Sequence, residues 1–192
     1  MKIRFYWIGS TRDQRLLSLE QEYLERIRKF IPAEIISVSE LKKSDPRGRA
    51  AQLAREGKKL LSMIPTGSTV VALDEKGDGP TSPGLAKWLE RNTSGGTQEV
   101  SFIIGGYWGL PDEVLKKADR TLSLGPMTFP HELARVLLLE QVYRAITINN
   151  GLPMVTCGKV LHPRTCKSHF YQLLINRNAN RNISGTYHLG RN

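Results

Sequence analysis

Three groups of residues have the types and spacing to do chemistry. The first is Gly105-Gly106-Tyr107-Trp108-Gly109-Leu110, directly after the apolar run Val100–Ile104. Glycine at a strand end lets a ligand approach the backbone and permits positive φ; the bland reading is a strand-to-helix turn. The stretch is not G-x-G-x-x-G, and no Gly-Lys-Ser/Thr follows it, so neither a dinucleotide fingerprint nor a phosphate-cradling loop is present. The second group is Leu124-Gly125-Pro126-Met127-Thr128-Phe129-Pro130-His131-Glu132. Two prolines and a glycine fix its backbone, and a rigid loop with exposed donors and acceptors can read a purine edge or simply connect two elements. His131 sits where a helix should start; it can titrate near neutrality, touch RNA, or serve the helix entry alone. Arg135 and Arg144 follow on the same helix, where each can pair with an acid such as Glu140 or reach phosphate. The third group is Cys157, His162, Cys166 and His169, spaced C-x4-H-x3-C-x2-H. It lacks the C-x2-C pairs of structural zinc sites, so no metal is expected. No Ser/His/Asp arrangement for nucleophilic catalysis stands out.

These groups need elements to hold them. Ile3–Ile8 reads as a buried strand ending at Gly9-Ser10, and Asp13 as the N-cap of a helix over 14–30. A short strand over 34–38 and a basic helix over 47–63 follow. Thr69–Leu73 is an apolar, β-branched strand, and Asp74–Pro83, rich in Gly, Asp and Pro, reads as a loop. Leu85–Arg91 is helical, Val100–Ile104 a strand, Pro111–Ala118 a helix, Arg120–Leu124 a strand. His131–Ile148 is a long helix, apolar nearly all round. Strands alternating with helices predict an α/β fold with a mostly parallel sheet and flanking helices. Ligands then bind at the carboxyl ends of strands: Leu73-Asp74, Ile104-Gly105-Gly106 and Leu124-Gly125-Pro126. No internal repeat is visible.

The 192 residues carry a net charge of +10, which points to a polyanionic partner, nucleic acid first. The charge is uneven: residues 1–60 hold 14 basic against 8 acidic side chains, residues 61–149 hold 8 against 10, and residues 150–192 hold 6 against none. A near-neutral middle suits a packed domain with a small ligand, and basic flanks suit contact with phosphates. Two cysteines exclude a disulfide scaffold and fit a reducing compartment, though a Cys157–Cys166 pair stays open. No basic-then-apolar leader opens the chain, and no apolar run reaches the roughly 18 residues of a membrane span. A cytoplasmic protein with no membrane partner is expected. Residues 149–192 contain no Asp or Glu and seven Asn, so a boundary is expected near Asn149-Asn150-Gly151.

Taken in order, the segments Val71–Gly77, Phe102–Gly106 with Gly109-Leu110, Leu122–Val136, and Leu139–Ala145 resemble one family, the ribosomal RNA large subunit methyltransferase H group of the SPOUT superfamily. The resemblance spans Met1 to about Pro153. It implies a carboxyl-terminal deep trefoil knot, an exception to the usual absence of knots. It implies that S-adenosyl-L-methionine binds at Leu73, Gly105, Leu124, Gly125, Pro126, Met127, Thr128 and Phe129. It implies a homodimer acting on a pseudouridine in helix 69 of 23S ribosomal RNA, methylated at N3 on the assembled ribosome, with His131, Arg135 and Arg144 as candidate RNA contacts.

The family ends in Gly-x-Pro followed closely by Tyr-His. Here Gly151-Leu152-Pro153 is followed by Met154, and Tyr187-His188 stands 33 residues later than the pattern requires. Residues 1–153 are therefore read as the knotted methyltransferase domain, and 154–192 as an atypical basic insertion or extension. Tyr187 and His188 are the candidate catalytic pair, displaced along the chain. The alternative reading is a non-catalytic RNA- or ribosome-binding protein that retains the fold.

Overall fold

The computed structural model describes residues 1–39 and 48–152. These lie almost wholly in the compact unit Met1–Asn150. Its elements run β1 (Lys2–Ile8), α1 (Gln14–Arg28), β2 (Ala33–Val38), α2 (Gly48–Met63), β3 (Thr69–Asp78), α3 (Ser82–Ser94), β4 (Glu99–Ile104), α4 (Asp112–Lys117), β5 (Arg120–Leu122) and α5 (His131–Asn149). The sheet has the order β2-β1-β4-β3-β5, and every pairing is parallel.

The apolar runs explain the order. β1 and β4 are mostly hydrophobic and buried from Phe5 to Ile8 and from Val100 to Ile104, as a parallel strand covered on both faces needs. Ile3, Phe5 and Trp7 join Val100, Phe102 and Ile104 in the larger core cluster, under Leu24 and Ile27 of α1, Leu85 and Leu89 of α3, and Leu138, Leu139 and Val142 of α5. Phe5 stacks on Phe102, with ring centroids 5.6 Å apart. Ile8, Val38, Val70 and Ile103 join a second cluster with Leu60 of α2 and Val114 of α4. Two helical layers thus sandwich the sheet, as the alternation of elements predicts.

Two local differences from the sequence reading matter for the site. The stretch after Leu73, expected as a loop, continues β3 to Asp78. The ladder with β5 is irregular there, since both Leu73 and Asp78 oppose Leu122. Such a bulge lets strand pairing resume after residues that otherwise break it. Gly77 makes this possible, because a Cβ on it would stand 2.8 Å from the Leu122 nitrogen and from the Thr121 carbonyl carbon. In contrast, β5 stops at Leu122, and Ser123 leaves the sheet, its amide donating to the Asp78 carbonyl at 2.7 Å.

β5 is the edge strand beyond β3, whereas α5 packs against both α3 and α1. The segment 123–130 therefore carries the chain back across the sheet before α5 begins. Among the described residues, no helix is long and apolar enough to cross a membrane.

Candidate active site

The carboxyl ends of β3, β4 and β5 open onto one cleft of about 810 Å³. Leu73, Asp74 and Glu75 line it from β3, Ile104 to Leu110 from β4 and its following loop, and Leu122 to Gly125 with Met127 to His131 from the crossing segment. The walls are mainly aliphatic and aromatic, with two carboxylates on one side. Pockets of this size and character hold small organic ligands.

The loop after β4 owes its shape to glycine. Gly106 and Gly109 form an antiparallel bridge, the Gly109 amide donating to the Gly106 carbonyl at 3.1 Å. Gly109 has φ +80°, a left-handed conformation that glycine adopts without steric cost. The fold-back brings the Gly109 carbonyl carbon within 2.3 Å of where a Gly105 Cβ would stand. In the crossing segment, Gly125 has φ +126°. Ser123 ties it down: its hydroxyl donates to the Gly125 carbonyl at 3.1 Å and accepts from the Gly125 amide at 3.2 Å.

A buried polar network fixes where α5 starts. The Arg135 guanidinium is fully buried; its Nη2 donates to the Ile8 carbonyl at 2.7 Å and its Nη1 to the Thr11 hydroxyl at 2.8 Å. Thr11 in turn donates to the Glu20 carboxylate. Burial pushes the Glu20 carboxyl above its usual range, while the Thr11 bond and the nearby charge of Arg135 pull it back down. One residue turn before Arg135, the Glu132 carboxylate accepts from the backbone amides of Arg12 at 3.1 Å and Asp13 at 3.3 Å. The end of β1, the start of α1 and the first turns of α5 are thereby bound together.

Of the residues assigned to the cofactor from sequence, Leu73, Gly105, Leu124, Gly125, Met127, Thr128 and Phe129 all line the cleft, and Pro126 does not. His131 lines it too. The two arginines differ. Arg135, for which the sequence left open an acid partner or phosphate, is fully buried and holds the Ile8 carbonyl and the Thr11 hydroxyl inside the protein. Arg144 lies half-buried along α5 with its Nε donating to Glu140 at 2.9 Å, the pairing that the sequence left open. Tyr187, His188 and the group Cys157, His162, Cys166 and His169 lie outside the described residues. The strand-end rule pointed to Asp74 as well, but sequence reasoning missed Glu75, Leu122 and Ser123 as lining residues, because it did not show the return of β3 to β5.

Comparison with known proteins agrees with this geometry. The family model described as "Predicted SPOUT methyltransferase" matches residues 1–154. Ribosomal RNA large subunit methyltransferase H of Geobacter sp. (strain M21) is 40% identical over 153 residues, which are 80% of this chain and 97% of that protein. The proteins of the same name from Geotalea daltonii and Geobacter metallireducens are 40% and 41% identical over 155 residues, in each case 80% of this chain, and 98% and 97% of those proteins. With its parallel sheet, its glycine-shaped cleft and a match across the whole described unit, the chain belongs to the SPOUT methyltransferases, within the ribosomal RNA large subunit methyltransferase H family.

Proposed function

We propose that this chain transfers a methyl group to N3 of a pseudouridine in helix 69 of 23S ribosomal RNA, working as a homodimer on the assembled ribosome. Methyl transfer from S-adenosylmethionine to large-subunit ribosomal RNA is the activity of the family. The single observation that supports the reading most is the cleft at the strand ends, into which seven of the eight residues assigned to the cofactor converge from three separate segments.

The residues present fit the cofactor. Leu73, Ile104, Leu124 and Phe129 offer apolar surface to a purine ring, and the Asp74 and Glu75 carboxylates on the same wall complement a ligand that carries a sulfonium and an ammonium charge. Gly125, where a Cβ would meet nothing within 4 Å, leaves its backbone open to close approach. When bound, the cofactor would supply an electrophilic methyl carbon, whose bond to nitrogen forms as its bond to sulfur breaks and the neutral thioether leaves. The protein contributes alignment of that carbon with the target nitrogen and exclusion of water. N3 of the base must also lose its proton. Tyr187 and His188 are the proposed catalytic pair for that part of the reaction, and His131, which lines the cleft, is the proposed RNA contact. The crossing segment is proposed to pass beneath the β3–α3 connection, so that the chain forms the trefoil knot of its superfamily.

Two measurements test the reading. Calorimetric titration should show S-adenosylmethionine binding, and absence of binding at millimolar cofactor rejects an enzyme in favour of a non-catalytic ribosome-binding protein. Labelled methyl should pass to ribosomes and not to transfer RNA; transfer in the opposite pattern moves the substrate elsewhere.

A further inference from the structure

We propose that Tyr107 and Trp108, with Arg49 beside them, form a stacking platform for an unpaired nucleobase next to the target nucleotide. The inference rests on an RNA substrate, as proposed above, and adds a substrate contact outside the cofactor residues.

Large hydrophobic side chains seldom stand in solvent without a reason when they gather at a ligand cleft. Tyr107 is 61% exposed and Trp108 39% exposed, and both line the cleft at its rim. Their rings meet edge to face, with centroids 4.6 Å apart. The loop that carries them is pinned at both ends, by the Gly106–Gly109 bridge and by the fold-back of Gly109 on Gly105. The two rings are thus presented from a rigid base, which lowers the entropy lost on binding. Arg49, exposed in the first turn of α2, places its guanidinium carbon 4.6 Å from the Trp108 ring centroid. An arginine over a tryptophan face is an electrostatic attraction in its own right, and it holds a positive charge at the rim where a phosphate adjoining a stacked base would lie.

The chemistry of the occupant follows. An enzyme that acts on a ring nitrogen takes its target out of the base stack, which leaves a neighbouring base with an open face. Unpaired RNA is recognised by stacking on aromatic side chains and arginine planes, together with backbone contacts. A paired duplex would offer no free base face to these rings. The net charge of +10 and the basic block over residues 1–60, which includes Arg49, match a polyanion in the same place. The cofactor takes the inner wall, formed by Leu73, Gly105 and Leu124–Phe129, and leaves the rim to the RNA.

The test is binding of the full-length protein to ribosomes, scored by filter retention, alongside calorimetry with S-adenosylmethionine. Trp108→Ala should weaken ribosome binding by about five-fold to a hundred-fold, the range lost with one base–aromatic stack, while cofactor affinity stays as in wild type. Trp108→Phe should restore most of the binding, because it keeps an aromatic face. Arg49→Gln should lower the slope of log affinity against log salt by about one. Equal binding by wild type and Trp108→Ala overturns the platform, and so does a fall in cofactor affinity, which would make Trp108 a cofactor contact instead. Wild-type protein that fails to bind ribosomes overturns it as well. Wild-type protein that binds ribosomes but transfers no methyl refutes the enzymatic reading alone, since the comparison of variants still decides the platform.

Discussion

Gly105 has no room for a side chain, and the obstacle is the protein itself. A Cβ on it would collide with the Gly109 carbonyl 2.4 Å away. Gly105→Ala is therefore expected to open the loop and weaken S-adenosylmethionine binding by at least about ten-fold, or 1.4 kcal/mol, without filling the cleft. Calorimetry checks this, and wild-type affinity would show that the fold-back does not shape the site. Asp13 shows a different economy of contacts. Its carboxylate accepts from the Arg15 side chain at 2.7 and 3.1 Å and caps the helix by accepting from the Arg15 amide at 2.9 Å. Those bonds, the side-chain one first, hold its carboxyl down to about 2 from an ordinary 3.8. A depressed acid stabilises the fold above its unfolded value, and the contribution disappears as the pH falls from there through the folded value. Asp13→Asn keeps a cap but does not titrate. The difference in thermal midpoint between wild type and this variant should be constant above about pH 5 and should shrink steadily below about pH 4; a gap that persists at low pH would contradict the assignment.

At the scale of elements, α5 is the part that the sequence described best and explained least. Its near-continuous apolar character predicted a buried helix, and the helix is indeed flanked by α1 and α3. The same character left the partner of Arg135 open between a nearby acid and phosphate, because a periodic pattern carries no information about partners more than 120 positions away. Only the folded chain brings Ile8, Thr11 and Glu20 to it. Removing one member of such a buried charged network leaves the others desolvated and unmatched. Arg135→Ala should lower unfolding free energy by about 3–5 kcal/mol in urea titrations, and a loss under 1 kcal/mol would mean that water or a neighbour replaces the guanidinium. Boundaries were otherwise legible where local chemistry sets them: Asp13 before α1, and Pro111 at the entry to α4. They were misjudged where pairing overrides composition. Gly77-Asp78 looks like loop in isolation, yet it belongs to β3 because β5 supplies a partner for it. Thr81 likewise starts α3 earlier than the apolar run suggests, its hydroxyl accepting from the Gly84 amide at 3.2 Å.

For the whole molecule, the separation of labour runs along the chain. The neutral middle of the sequence supplies the cleft, and every residue found to line it lies between Leu73 and Ala134. The candidate pair Tyr187 and His188 lies beyond Pro153 in the sequence. A chain ended at Pro153 is expected to bind S-adenosylmethionine as the full chain does and to lose methyl transfer to ribosomes; full transfer by the shortened protein would remove the tail from catalysis. The strand-end rule located the cleft in the sequence, while the residues assigned to the cofactor came from the family resemblance. The rim was not readable there, since nothing in the spacing of Arg49 and Trp108 indicates that one covers the other. That rim sits on the tightest piece of backbone in the site, with Gly105, Gly106 and Gly109 locked and Tyr107 and Trp108 projecting from between them. On the proposed platform, positions 107 and 108 set the RNA contact, while the turn that carries them is shaped by Gly105, Gly106 and Gly109. A library randomised at positions 107 and 108 alone would sample new sequence contexts for a single unaltered reaction.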